Sequence, residues 1–187
     1  MTGEVYHKAA QGTVPVLQII GYKNSGKTTL ACRLIDALTS RGIRAGSAKH
    51  DAHEFQLDDP DTDSSKHLLH GAVETVLTSM AATRIMRRSG TTLDEIARSM
   101  YGRADLLIAE GFKSAHYPKI ALIRSTDEMI ALGEQATDIR LWLSWEANAD
   151  LDSLAAKTPG GNTAPVLQLQ NQALADQEIL SLALSLL

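Results

Sequence analysis

The stretch GYKNSGKTT, residues 21–29, decides how this sequence folds. Its spacing fits G-x-x-x-x-G-K-[ST], the P-loop pattern, in which a glycine-rich backbone turns around a phosphate. The run before it, residues 14–20 (VPVLQII), is apolar and β-branched, as a buried parallel strand should be. The run after it repeats apolar residues at helical spacing, and Gly42 is placed to end that helix. The sequence therefore predicts the strand, loop and helix that a P-loop requires.

Within that loop, Lys27 and Thr28 carry the predicted chemistry. The glycines let backbone N–H groups turn inward around a phosphate, and the N-terminus of the following helix adds a positive dipole. Lys27 would reach the β- and γ-phosphates as a catalytic residue, and the Thr28 hydroxyl would hold Mg²⁺. We therefore expect a bound nucleoside triphosphate with Mg²⁺.

The composition is that of one globular chain. Its 187 residues predict a single nucleotide-binding domain over residues 14–187, after a flexible tail over residues 1–13. A net charge of −4 without a long Lys/Arg run argues against nucleic-acid binding, and no stretch of about 18 apolar residues predicts a membrane span. The single cysteine, Cys32, cannot form an internal disulfide, and the tail lacks an apolar signal core. Both features favour the cytoplasm.

Strands alternate with helices along most of the chain. Strands are predicted at residues 14–20, 43–50, 73–79, 83–86, 105–110, 119–124, 139–145 and 166–169. Further helices are predicted at residues 92–101 and 176–187, with a helical turn at 64–69. This alternation predicts an α/β fold of the P-loop NTPase type, a mostly parallel sheet with helices on both faces. In such sheets, ligands bind at the carboxyl ends of the strands.

Two other predicted strands deliver polar side chains to that edge. Glu110 ends an apolar run and resembles a Walker B acid, so its carboxylate would hold Mg²⁺ or position an attacking water. Lys49 and His50 follow the second strand, where they would contact a phosphate or a second ligand, or form only a surface pair. His50 and His53 also raise the alternative of a zinc site, but further ligands at the required spacing are missing.

Three other groups of residues have no assigned role. Most of the carboxylates in one acidic loop are expected to be solvated: Asp58, Asp59, Asp61 and Asp63. A basic cluster could clamp phosphates, bind an acidic partner or be solvated: Arg84, Arg87 and Arg88. Core or interface packing is the expectation for Trp142 and Trp145.

Several motifs taken together resemble the MobB family. They are GYKNSGKTTL (21–30), RGIRAGSAKH (41–50), the Asp63-Ser64 pair before HGA (70–72), LLIAEGFK (106–113), YPKIALIR (117–124) and IRLWLSWE (139–146). The P-loop alone is generic, whereas the combination is specific. The resemblance spans roughly residues 14–146.

This resemblance implies a GTP-binding adapter with weak GTPase activity in the biosynthesis of the molybdenum cofactor. It implies a partner, the guanylyltransferase MobA, which joins GMP from GTP to molybdopterin, and also molybdoenzyme acceptors and a homodimer. It matches Glu110 to the Walker B-like acid and places other residues around GTP or molybdopterin. These are Gly21, Lys23, Asn24, Ser25, Gly26, Lys27, Thr28, Thr29, Lys49, His50 and Asp63.

Two other classes of P-loop protein are alternatives. A small-molecule kinase needs a mobile lid that carries arginines, and the only arginine cluster lies in a strand-like stretch. A ParA-like regulatory ATPase carries a second lysine directly after the first glycine of the loop, where this sequence has Tyr22.

The guanine-reading pattern N-K-x-D has only an early, incomplete match at residues 48–51 (AKHD). Spacing therefore does not decide between GTP and ATP.

Overall fold

A computed structural model of the chain describes residues 12–51, 55–146 and 164–187. These residues form two compact units. The sheet unit comprises the described residues up to His50 and from Leu93 onward, and the hairpin unit comprises those within Asp51–Thr92. The single domain over residues 14–187 stays a prediction, and most of the predicted tail lies outside the described residues.

The described residues contain eight strands and five helices. The strands are β1 (Val16–Gly21), β2 (Ala45–Lys49), β3 (Glu74–Thr78), β4 (Thr83–Arg87), β5 (Leu106–Glu110), β6 (Lys119–Ile123), β7 (Ile139–Ser144) and β8 (Val166–Gln168). The helices are α1 (Lys27–Thr39), α2 (Asp63–Leu69), α3 (Leu93–Ser99), α4 (Thr126–Gln135) and α5 (Gln172–Leu184). None of these helices is long and apolar enough to cross a membrane.

Six parallel strands form the sheet of the sheet unit, in the order β2-β5-β1-β6-β7-β8. Because all six run in the same direction, their carboxyl ends meet at one edge. The register pairs Lys49 of β2 with Glu110 of β5, and Glu110 with Ile19 of β1. The predicted P-loop NTPase-like sheet is confirmed.

Side chains alternate between the two faces of the sheet along each strand. Each strand can therefore pack against helices on both faces. Leu17 and Ile19 of β1 pack with residues of α1 and α5 on one face. Val16 packs with residues of α3, and Ile20 with residues of α4, on the other. Each fully buried aliphatic side chain contributes about 1.5–3 kcal/mol to the free energy of folding relative to an exposed one. Packing on both faces therefore stabilises the strands.

The helix α4 is the element that the sequence analysis missed. Ser125 caps its first turn by accepting a hydrogen bond from the Glu128 amide at 3.3 Å. Glu128 in turn accepts from the Arg124 amide at 2.8 Å, so the two side chains satisfy backbone donors at the helix start. The helix buries Met129 and Leu132 against the sheet.

In the hairpin unit, β3 and β4 pair antiparallel, and α2 begins after the cap Thr62. Solvation was expected for most carboxylates of the acidic loop, and Asp58 is an exception, since its side chain is only 5% exposed. Its carboxylate accepts hydrogen bonds from Thr62 and Ser64 and forms an ion pair with Arg84 at 3.0 Å. These partners, the hydroxyls first, hold the pKa of Asp58 below its usual range.

Candidate nucleotide-binding site

The loop after β1 is built around two glycines. A Cβ atom on Gly21 would lie 2.6 Å from Ser25 Oγ and 2.8 Å from the Leu122 carbonyl oxygen, so only glycine fits there. Gly26 is the N-cap of α1 and has φ +91°, a left-handed conformation that glycine adopts without strain. Because α1 begins at Lys27, the first N–H groups of the helix have no acceptor within it. The loop therefore offers backbone donors at a helix N-terminus, which is the setting for a bound phosphate.

The side chain of Lys27 folds back onto its own P-loop. Its Nζ donates to the carbonyl oxygen of Tyr22 at 2.7 Å. Burial lowers the pKa of Lys27, the carboxylate of Glu110 opposes this, and nearby cations lower the pKa further. These cations are Lys113, Lys49 and Arg124. These four cations outnumber the two carboxylates beside them, Glu110 and the Glu128 that pairs with Arg124, so this edge of the sheet is favourable for an anion.

Thr28 and Glu110 form the oxygen-rich part of the site. The Thr28 hydroxyl lies 3.0 Å and 2.9 Å from the two carboxylate oxygens of Glu110. Glu110 is buried, and Lys49 Nζ lies 3.9 Å from its Oε1. A hydroxyl beside a carboxylate is the donor set that Mg²⁺ prefers, so these residues fit the ion. Among the described residues, no group of three or more His, Cys, Asp or Glu side chains could hold a metal, and His53 of the zinc alternative lies outside them.

The side chain of Gln18 fixes the segment that follows β5. Its Nε2 donates to the carbonyl oxygens of Gly111 and Phe112 at 3.0 Å and 2.8 Å. This fixes the backbone that carries Lys113, whose Nζ lies 4.4 Å from the centroid of the Tyr22 ring. The arrangement holds the Lys113 ammonium group over a residue of the P-loop.

The sheet unit contains all of the predicted site residues except Asp63. The P-loop residues Gly21, Lys23, Asn24, Ser25, Gly26, Lys27, Thr28 and Thr29 run from the end of β1 into the first turn of α1. Lys49 ends β2, Glu110 ends β5, and the His50 ring lies 5.1 Å from the Phe112 ring. Asp63 is the first residue of α2 in the hairpin unit, where it accepts a hydrogen bond from Lys66 at 3.2 Å.

Three residues of this edge were not among the predicted site residues. Lys113 and Arg124 lie close enough to Lys27 to lower its pKa. The indole Nε1 of Trp145 donates to the Ser25 carbonyl oxygen at 2.8 Å, and the side chain is half-exposed. The signal that could have found them is their position, because each lies at the end of a predicted strand of the parallel sheet or shortly after it.

The parallel sheet, the P-loop between β1 and α1, and the acid at the end of β5 place the chain in the class of P-loop NTPase-like proteins. Comparison with known proteins identifies the family within this class. The family model for molybdopterin guanine dinucleotide synthesis protein B, MobB, matches residues 16–142. The chain therefore belongs to the MobB family.

Individual relatives agree with this assignment. The chain is 35% identical over 124 residues to the molybdopterin-guanine dinucleotide biosynthesis adapter protein of Escherichia coli strain K12, covering 62% of this chain and 69% of the relative. It is 30% identical over 128 residues to a probable adapter protein of the same description from Bacillus subtilis strain 168, covering 67% and 73%. The crystal structure of a MobB protein homolog from Bacillus stearothermophilus matches with a TM-score of 0.67 at 27% identity, covering 91% of this chain and 98% of that one.

Proposed function

We propose that this chain is a GTP-binding adapter in molybdenum cofactor biosynthesis that assists guanylyl transfer to molybdopterin and hydrolyses GTP slowly at most. The observation that carries the proposal is the contact of Thr28 with Glu110 beside the P-loop of a MobB family member. The curated relatives are named adapters of molybdopterin-guanine dinucleotide biosynthesis, which supports guanine as the base.

The geometry suggests a role for each residue of the site. The P-loop amides and Lys27 bind the phosphates, and Thr28 with Glu110 would hold Mg²⁺. Bound Mg²⁺ would neutralise charge on the phosphate oxygens. Lys49 and His50 lie at the neighbouring strand end, where they would contact the nucleotide or molybdopterin. Asp63 is proposed for the same ligands from the resemblance alone.

Partner binding is the second half of the proposal. An adapter needs an enzyme to assist, and the chemistry of guanylyl transfer points to a MobA-type guanylyltransferase, with molybdoenzymes as acceptors. A homodimer is supported by the hairpin unit, where the cross-strand partners Val76 and Ile85 are both more than half exposed. The exposed, unpaired thiol of Cys32 fits a reducing cytoplasm.

The test is a guanylyl-transfer assay with a purified MobA-type enzyme, molybdopterin, GTP and Mg²⁺. Added wild-type chain is expected to raise the yield of the guanine dinucleotide cofactor, and Lys27→Ala is expected not to. Arg98→Ala is the matched control, because Arg98 is a cation in the last turn of α3. The proposal is wrong if the wild-type chain leaves the yield unchanged or if Lys27→Ala stimulates it fully.

A further inference from the structure

Trp145 lies against the P-loop although 120 residues separate it from Ser25. Its indole Nε1 donates to the Ser25 carbonyl oxygen at 2.8 Å. Its Cζ2 atom lies 3.1 Å from the position that a Cβ on Gly26 would occupy. One edge of the indole is therefore anchored where the phosphate loop enters α1.

The backbone of Trp145 is fixed as well. Its amide donates to the Ile123 carbonyl oxygen at 3.0 Å, and its carbonyl oxygen accepts from the Gln170 side chain. Because the backbone and the indole N–H are both held, the ring can present a surface to a ligand without a large loss of conformational freedom.

Trp145 remains 47% exposed, whereas Trp142 in the same segment is 0% exposed. Its one polar atom is already paired, so the exposed part is aromatic surface beside a phosphate-binding loop. Such a surface is suited to the π-face of a nucleobase, which binds aromatic side chains by stacking.

The distribution of charge indicates the direction in which a nucleotide would extend. From the P-loop at β1, the strand ends on one side, β5 and β2, carry Glu110 and Lys49. These groups suit phosphate and metal. On the other side, Trp145 follows β7, so the aromatic surface lies at the opposite flank of the loop, and the Arg124 guanidinium that follows β6 on this side is paired with Glu128.

From these contacts we propose that Trp145 is a stacking platform for the nucleobase of the bound nucleotide. The inference rests on the proposed nucleotide-binding function and adds to it a residue that contacts the base. Stacking is tolerant of base identity, so Trp145 contributes affinity for a purine and leaves the choice between guanine and adenine to other groups.

The experiment compares a ligand that has a base with one that lacks it. Binding of GTP and of inorganic tripolyphosphate, each with Mg²⁺, is measured by calorimetry for the wild type, Trp145→Ala and Trp145→Phe. Trp145→Ala is expected to weaken GTP binding about 5- to 100-fold and to leave tripolyphosphate binding unchanged, whereas Trp145→Phe keeps most of the GTP affinity. Tyr101→Ala, which removes another exposed aromatic ring near the amino end of β5, is expected to change neither.

Two results would overturn the inference while leaving nucleotide binding intact. Equal weakening of both ligands by Trp145→Ala would show that the ring only supports the loop, and unchanged GTP binding would show that it has no role in affinity. Failure of the wild type to bind GTP or tripolyphosphate would instead refute the proposed function together with this inference. The folding of each variant is checked by circular dichroism.

Fluorescence gives a second readout, because Trp142 and Trp145 are the only tryptophans of the chain. GTP is expected to quench the emission of the wild type, while tripolyphosphate leaves it unchanged. In Trp145→Phe, where only the buried Trp142 remains, the quenching is expected to disappear. Quenching of equal size in that variant would contradict the platform.

Discussion

Thr28 Oγ1 lies within 3.0 Å of both carboxylate oxygens of Glu110, so two residues 82 positions apart form one oxygen cluster. The contact joins the first turn of α1 to the end of β5, and Lys49 lies 3.9 Å from the same carboxylate. The cluster brings a hydroxyl and a carboxylate to the position where a metal ion would meet the phosphates of a bound nucleotide.

The first prediction concerns the carboxylate of this cluster. Glu110→Gln keeps the shape and the contact with Thr28 but removes the charge that would hold Mg²⁺. We expect nucleotide binding in the presence of EDTA to persist and Mg²⁺-dependent hydrolysis to fall about 10- to 100-fold. Nucleotide binding and hydrolysis are measured on the same preparation. Normal Mg²⁺-dependent turnover in the variant would show that Glu110 has only a structural role.

Lys113 gives a second prediction, because its ammonium group lies over the Tyr22 ring of the loop. Lys113→Met keeps much of the side chain and removes the charge. GTP affinity is expected to fall about 3- to 10-fold, with a smaller dependence of affinity on salt concentration. Titrations at two ionic strengths measure both effects. Arg41→Met, near the opposite end of α1, is the control, and an equal loss in both variants would refute a local role for Lys113.

The strand, loop and helix around residues 21–29 were predictable because their signals are local. The periodicity of α1 and the glycine spacing fix the loop without reference to the rest of the chain. Helix α4 also carried a local signal, since Ser125 and Glu128 have the spacing of a capping box. Helix α4 was nevertheless absent from the predicted elements, although this spacing marks its start.

Other features could not be predicted because they depend on contacts between distant residues. The side chain of Asp58 is covered where it contacts the neighbouring hydroxyls of Thr62 and Ser64 and the guanidinium of Arg84, which lies 26 positions away. Trp145 was expected in a core or an interface, and its half-exposed position depends on a hydrogen bond to the P-loop. Neither periodicity nor composition contains that information.

The third prediction tests the contact between Gly26 and Trp145. Gly26→Ala forces an L-residue into φ +91° and places its Cβ 3.1 Å from the indole. Gly42→Ala is a matched control, because Gly42 has φ +77° but nothing within 4 Å of the added atom. Each is expected to lose about 1–2 kcal/mol of unfolding free energy from backbone strain. Only Gly26→Ala is expected to weaken tripolyphosphate binding, and an equal effect of both variants on binding would contradict this.

A fourth prediction follows from Lys119, which is fully buried at the start of β6. Its Nζ donates to the carbonyl oxygens of Ala115 and Tyr117 at 2.5 Å and 2.8 Å. Burial lowers the pKa of Lys119 to about 8, and Asp138 opposes this. Between pH 8 and about 10.4 the unfolded chain therefore binds more protons at this residue than the folded chain, so stability rises with pH in that window.

The measurement is the free energy of unfolding in urea at pH 7, 8, 9 and 10 for the wild type and Lys119→Met. Relative to the variant, the wild type is expected to gain stability above pH 8, by about 2.5 kcal/mol at pH 10. Other groups titrate in both proteins, so the difference isolates Lys119. A difference that stays constant over the range would show that the pKa of Lys119 is not lowered in the folded state.

The central claim is that the P-loop edge of this MobB family member binds a guanine nucleotide. Calorimetric titration of the purified chain with GTP and with ATP, both with Mg²⁺, tests it most directly. We predict clear binding of GTP and at least tenfold weaker binding of ATP. Equal or tighter binding of ATP would contradict guanine specificity and direct attention to the kinase and regulatory ATPase alternatives.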